Sequence, residues 1–126
     1  MLQQLIHNYL RFSFILLFVA KINAQEIGKD SLSPSQLLFK KASNLIDSAK
    51  YKESLVILKK IIKETPDNWQ AYNKSAFAKI KLEDYKNAEK DLDKAEYFQA
   101  MNFETQKLKG INFYLANKFN ESKIAL

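Results

Sequence analysis

The amino-acid sequence predicts an all-α fold. Glycine and proline are scarce, with 2 of each among 126 residues, although the turns of β-rich proteins demand both. Alanine, leucine, lysine, glutamate and glutamine, which favour helices, are common. Apolar side chains recur at every third or fourth position, and the whole pattern repeats with a period of 34. We therefore expect one domain of stacked helices, because the chain length fits a single domain and an apolar content of 47% supports a core.

The N-terminal segment 1–24 has the layout of a secretory signal peptide. Arg11 precedes an apolar run from Phe12 to Ala20, and a short polar stretch ends at Ala24. This run is far shorter than the roughly 20 residues of a membrane-spanning helix. We expect cleavage after Ala24, export to the periplasm or cell envelope, and no stable membrane span afterwards. An uncleaved amphipathic or signal-anchor helix is the alternative, and residues 25–34 are expected to form a linker.

The composition argues against an enzyme. The chain has no cysteine, and its only histidine, His7, lies in the segment that we expect to be removed. The exported chain would therefore lack the thiolate and imidazole groups that serve nucleophilic catalysis, acid–base catalysis and metal binding. Cleavage lowers the net charge from +6 to +4, and the remaining charges alternate in sign instead of forming a basic stripe. We expect no catalytic residue, cofactor, metal site or nucleic-acid partner.

Each copy of the repeat predicts two helices. Ser33 and Pro34 open the first helix, and Pro66 closes the second, because proline disfavours a helical conformation in the residue before it. Asn117 tolerates left-handed backbone and is expected to turn the chain between the last two helices. The helices are expected at 35–48, 52–64, 69–82, 85–98, 103–116 and 119 onward, in repeats 35–68, 69–102 and 103–126.

Four columns of the repeat keep one type of side chain in all three copies. They are Ala42, Ala76 and Gly110; Tyr51, Tyr85 and Phe119; Ser54, Ala88 and Ser122; and Leu58, Leu92 and Leu126. Two helices approach closely only where the side chains between them are very small, so the small residues of the first column are expected to face those of the third. The aromatic and leucine side chains fill the space beside them. Stacked neighbours then complete the core, because one helix pair cannot bury its own apolar face.

These columns resemble those of the tetratricopeptide repeat family. The second copy matches the family's signature columns at Ala71, Tyr72, Ala76, Leu82, Asp84, Tyr85, Ala88, Leu92 and Ala95. The resemblance covers residues 35–126 and implies a right-handed superhelix of antiparallel helix pairs, about three repeats long, with the last repeat incomplete. Family members hold a peptide or a partner's helix in a groove lined by the first helix of each repeat. The implied function is a non-catalytic protein- or peptide-binding scaffold of the bacterial cell envelope.

The register implied by this resemblance places seven side chains in the groove. They are Phe39, Ser43, Asn73, Phe77, Lys107, Ile111 and Tyr114. Aromatic anchors flanked by hydrogen-bonding groups suit the binding of a peptide. The alternative is that the apolar members on the second and third copies pack between repeats. Some family members clamp a C-terminal carboxylate with several cations, but only Lys74 is a cation at the corresponding positions here, so no such clamp is expected.

The third copy ends in the apolar residues Ile124 to Leu126, without a polar helix to cover the array. Two interpretations remain open. In the first, the sequence is part of a longer signalling protein, a histidine kinase or a transcriptional regulator, and supplies its extracytoplasmic sensing part. In the second, a partner or another copy of the chain covers the end. Self-association through the C-terminal repeat is thus a further expectation.

Overall fold

A computed structural model describes residues 1–8 and 32–124 of the chain. The chain divides into two units, Met1–Leu32 and Ser33–Leu126. In the first unit, residues 2–8 are helical and exposed. Residues 9–24 of the expected signal peptide, with its cleavage position, and residues 25–31 of the expected linker lie outside the described residues, as do residues 125 and 126. Within the described ranges, no helix is both long and apolar enough to cross a membrane.

The described part of the second unit is all-α, which confirms the predicted fold class. Its helices are α1 (Pro34–Asp47), α2 (Tyr51–Glu64), α3 (Trp69–Lys81), α4 (Tyr85–Phe98) and α5 (Phe103–Ile124). The first four begin and end within one residue of their predicted bounds. The fifth is longer than predicted.

Polar caps begin three of these helices. The Oγ of Ser33 accepts a hydrogen bond from the Gln36 N–H at 3.2 Å, and the Gln36 Oε1 accepts one from the Ser33 N–H at 2.8 Å. This reciprocal capping box satisfies two backbone donors at the start of α1. The side chains of Asn68 and Asn102 each accept a hydrogen bond from the N–H group three residues later, at the starts of α3 and α5.

The packing of the helices gives the unit two sides. Each helix packs against the next one along the chain, from α1 to α5. In addition, α1 contacts α3 and α3 contacts α5, whereas the described helices α2 and α4 do not contact each other. The surface formed by α1, α3 and α5 is called the inner face below.

Two apolar clusters form the core. One contains Ala42, Leu58, Ile61 and Ala71, from α1, α2 and α3, and the other contains Ala76, Ile80, Ala88, Leu92 and Leu108, from α3, α4 and α5. The equivalent residues of the first two repeats, at the alanine and leucine columns, are 0% exposed. The small side chains thus lie where the helices approach, and the leucines fill the space beside them, as the repeat predicts.

The third predicted helix pair is not formed. The last two predicted helices are instead one unbroken helix, α5, which passes through Asn117. Ala49 and Glu83 turn the chain within the first two pairs with φ of 57° and 62°, and Asn117 is their equivalent in the third copy. Asn117 stays helical, and the Phe119 ring that follows it packs edge-on against Tyr85, with centroids 5.7 Å apart, which holds this part of α5 against α4.

The expected contact between Gly110 and Ser122 is therefore absent. Ala42 and Ser54 are fully buried in the first pair, but Gly110 and Ser122 are both exposed. They lie twelve residues apart on one helix, about 18 Å along its axis. Apart from the backbone of its own helix, a Cβ atom added at Gly110 would meet no described atom within 4 Å. The described part of the chain thus leaves this side of α5 uncovered.

Candidate functional site

The seven side chains predicted to line a groove lie on the three helices of the inner face, but the structure brings only some of them together. Phe39 of α1 is half-buried, and the Lys74 Nζ of α3 lies 5.3 Å from the centroid of its ring. This distance is within the range of a cation–π interaction. Ser43, one turn later, donates its hydroxyl to the carbonyl oxygen of Phe39 at 3.0 Å. The α1 side of the inner face thus offers an aromatic ring with a lysine above it.

Phe77 and Ile111 meet in a cavity between α3 and α5. The cavity measures about 250 Å³, and its walls include Lys81, Leu108 and Leu115. The Lys81 Nζ lies 5.4 Å from the centroid of the Phe77 ring. Ile111 is 38% exposed, so the apolar wall is open to solvent at α5. A lysine thus lies over an aromatic ring of α1 and over one of α3; a third pair, Lys123 over Phe119 at 4.5 Å, lies on α5 next to Tyr85.

Phe77 also takes part in the core. It packs against the cluster formed by α3, α4 and α5, and its ring meets Tyr51 of α2 edge-on, with centroids 6.4 Å apart. One side of the ring packs between neighbouring helix pairs, and the residue also lines the cavity.

Asn73 makes an internal contact. It is 1% exposed, and its Nδ2 donates a hydrogen bond to the Thr105 Oγ1 at 3.0 Å. Its Oδ1 lies 3.1 Å from the same hydroxyl and accepts a hydrogen bond from it. The pair joins α3 to α5 and leaves Asn73 no surface for a ligand in this structure.

Lys107 and Tyr114 do not line the cavity that contains Phe77. They lie three residues before and four residues after Gly110, so all three share one face of α5. Tyr114 is 65% exposed, and Lys107 is exposed as well. The structure thus separates these two residues from Ile111, the third predicted groove residue of the same helix.

The two lysines that lie above aromatic rings of the inner face have no acidic partner among the described residues. No described carboxylate lies within 4.0 Å of Lys74 or Lys81, the two lysines above aromatic rings. The lysines that form ion pairs among the described residues lie elsewhere: Lys60, Lys79 and Lys109. The inner face thus carries two lysines above aromatic rings, and Glu83 adds one acidic side chain to the wall of the cavity that contains Lys81.

A separate ion pair joins α4 to α5. The Lys109 Nζ lies 2.6 Å from Glu96 Oε2 and 2.9 Å from Asp93 Oδ1. The hydrogen bond from Lys109, followed by one from Gln106, lowers the pKa of Glu96. The same contacts, to Glu96 first and Asp93 second, raise the pKa of Lys109. Both pKa shifts arise from a contact that holds α4 and α5 together. The alternating charges along α4 in the sequence did not predict this ion pair.

A larger cavity, of about 700 Å³, lies between α4 and α5. Its walls include Tyr85, Asn112, Asn117 and Phe119, but none of the seven predicted groove residues. The Asn112 Nδ2 donates to the Tyr85 carbonyl oxygen at 3.1 Å, and its buried Oδ1 has no hydrogen-bond partner among the described residues. The sequence pattern did not predict this cavity, because it predicted a turn at Asn117. In the structure Asn117 lies within the continuous helix α5, which forms one wall of the cavity.

No cluster of three or more histidine, cysteine or acidic side chains within residues 1–8 and 32–124 is placed to hold a metal ion. Comparisons of the chain with protein-family models, curated proteins and solved structures found no match.

Proposed function

We propose that residues 34–124 form a tetratricopeptide-type array that acts as a non-catalytic scaffold for an acidic peptide segment of another protein. Two observations support the architecture. The side-chain columns recur with a period of 34, and α1, α3 and α5 are neighbours while α2 and α4 are apart. This is the contact pattern of an array whose first helices line a concave side. Export to the cell envelope is part of the proposal and is supported by the residue pattern of positions 1–24.

The observation that carries the proposal is the repeated pairing of an aromatic ring with a lysine that has no described counter-ion. Lys74 lies over Phe39, and Lys81 lies over Phe77 at the mouth of the 250 Å³ cavity. A carboxylate of a ligand would bind the lysine, while an adjacent apolar side chain would enter the cavity beside Ile111. The surface thus suits a peptide in which acidic residues flank an apolar anchor.

A scaffold is proposed in preference to an enzyme because residues 32–124 contain no histidine or cysteine. The two groups with shifted pKa values, Glu96 and Lys109, are hydrogen-bonded to each other in the ion pair between α4 and α5. Neither lines the cavity between α3 and α5, although Lys109 is part of the wall of the larger cavity between α4 and α5. The ion pair accounts for both pKa shifts without a catalytic role.

The proposal is tested by selecting binders from a random peptide library displayed on phage, with the exported chain immobilised as bait. We expect the selected peptides to be enriched in aspartate and glutamate next to an apolar residue. One selected peptide is then titrated against the wild type and against Lys81→Glu and Ile111→Ala. Each substitution is expected to weaken binding about tenfold or more, by reversing a charge contact or by removing an apolar one.

The matched control is Lys59→Glu, which reverses an exposed charge on α2 and should leave the affinity unchanged. Circular dichroism confirms that each variant is folded. Selection of peptides without acidic residues, or equal binding by wild type and both inner-face variants, contradicts the proposal.

A further inference from the structure

One face of α5 is exposed along the whole length of the helix. Its large apolar side chains, Phe103, Tyr114 and Ile124, are 82%, 65% and 86% exposed. The residues of this face are spaced alternately by four and three positions, so they form one continuous line on the helix surface. We call it the α5 stripe; it consists of Phe103, Lys107, Gly110, Tyr114, Asn117, Glu121 and Ile124, all of them exposed.

The α5 stripe has the features of an interaction surface. Its 22-residue helix is about 33 Å long, and large apolar groups are exposed at both ends and in the middle. Near the middle lies Gly110, where a Cβ atom would meet no described atom within 4 Å. Because glycine has no side chain, a second helix can approach the backbone closely at this point.

The order of residues makes the α5 stripe complementary to itself in the antiparallel direction. Lys107 lies seven residues before Tyr114, and Glu121 lies seven residues after it. A two-fold axis through Tyr114 therefore places Lys107 of each copy beside Glu121 of the other, which gives two ion pairs. Phe103 lies eleven residues before the axis and Ile124 ten residues after it, so the apolar ends also meet.

We propose that the α5 stripe binds the α5 stripe of a second copy of this chain in an antiparallel pair centred on Tyr114. A foreign helix would need to reproduce this order of charges, whereas a second copy supplies it by symmetry. No described counter-ion lies within 4.0 Å of Lys107 or Glu121 in their own chain, so the pairing disrupts no existing ion pair. The cavity with Phe77 and Ile111 lies outside the α5 stripe, so peptide binding and self-pairing are tested independently.

The test is sedimentation equilibrium of the full chain and of charge-reversal variants, with circular dichroism to verify folding. We expect a dimer for the wild type. Lys107→Glu and Glu121→Lys are made separately, and each gives two residues of like charge at both contacts between the copies. Each should raise the dissociation constant of the dimer at least about tenfold. Combining both substitutions restores opposite charges at both contacts and should return the dissociation constant to within about threefold of the wild-type value.

The matched control is Lys40→Glu, which reverses an exposed charge on α1 and should leave the dimer unchanged. A wild type that stays monomeric overturns the proposal. A dimer that neither single reversal weakens overturns it too, because another surface must then hold the copies together. Failure of the combined variant to recover the dimer overturns the antiparallel register.

Discussion

Asn73 and Thr105 show how a polar pair replaces an apolar contact in the repeat. Asn73 is the equivalent of Phe39, and Thr105 is the equivalent of Ala71, in each case one repeat later. In the first repeat, Phe39 packs against the cluster that contains Ala71. In the second, two hydrogen bonds join the equivalent residues. The family resemblance placed Asn73 in the groove, because a repeat column that holds Phe39, Asn73 and Lys107 does not reveal that Asn73 has a hydrogen-bond partner on a distant helix.

Removal of the hydroxyl at this contact should destabilise the array. Thr105→Val keeps the shape of the side chain but leaves the buried Asn73 amide without a partner, which we expect to lower the free energy of unfolding by about 1–3 kcal/mol. Urea denaturation followed by circular dichroism measures the change. The matched variant that also carries Asn73→Leu has no unpaired polar group and should recover most of the loss. Equal stability of Thr105→Val and the wild type would show that the hydrogen bonds contribute nothing.

At the scale of the helices, α1 to α4 were predictable because local residues mark their ends. Ser33 and Asn68 cap two of them, and Pro66 ends a third. The length of α5 was not predictable in the same way. Asn117 is a favourable residue for a left-handed turn, but it permits a turn without requiring one, and the contact of Phe119 with Tyr85 holds the following residues in the helix.

Matched substitutions at two equivalent positions test the unbroken helix. Gly110→Leu adds a side chain where no described atom lies within 4 Å and replaces a mid-helix glycine, so we expect stability to rise by up to about 1 kcal/mol. Ala76→Leu adds the same atoms at the equivalent, fully buried position of α3 and should cost about 1–3 kcal/mol. The stability of each variant is measured by urea denaturation of dilute samples, so that self-association does not contribute to the result. A similar loss for both variants would mean that a helix covers Gly110.

The ion pair between α4 and α5 gives the array a defined dependence on pH. Because folding lowers the pKa of Glu96, the pair stabilises the fold above the ordinary titration range of a carboxyl group, and this contribution is lost as the pH falls through the lowered pKa. Folding raises the pKa of Lys109, so at the alkaline end the contribution is lost as the pH rises through that raised value.

Lys109→Gln should therefore raise the pKa of Glu96 towards its ordinary value. The variant should be less stable than the wild type at neutral pH, and the difference should shrink in acid. A carboxyl-carbon NMR titration of Glu96 gives the pKa, and urea denaturation at several pH values gives the stability. Lys90→Gln, which removes an exposed charge elsewhere on α4, serves as the control. An unchanged Glu96 titration in Lys109→Gln would contradict the assigned cause.

In the whole molecule, different surfaces of the helical unit carry different groups of side chains. The inner face carries lysines over aromatic rings, the α4–α5 flank carries the structural ion pair, and the α5 stripe is exposed along its length. The resemblance to the tetratricopeptide repeat family placed Phe39, Phe77 and Ile111 among the seven groove residues, and in the structure the last two line one cavity. The sequence did not predict that Lys81 would lie over Phe77, because the position of a flexible side chain depends on the neighbouring helices.

Binding of an acidic peptide at the inner face is tested by NMR titration of the isotope-labelled chain with a peptide selected from the phage library. We expect the chemical-shift changes to concentrate at Phe39, Lys74, Phe77, Lys81 and Ile111. Changes confined to α2 and α4, or to the larger cavity around Tyr85 and Phe119, would contradict it.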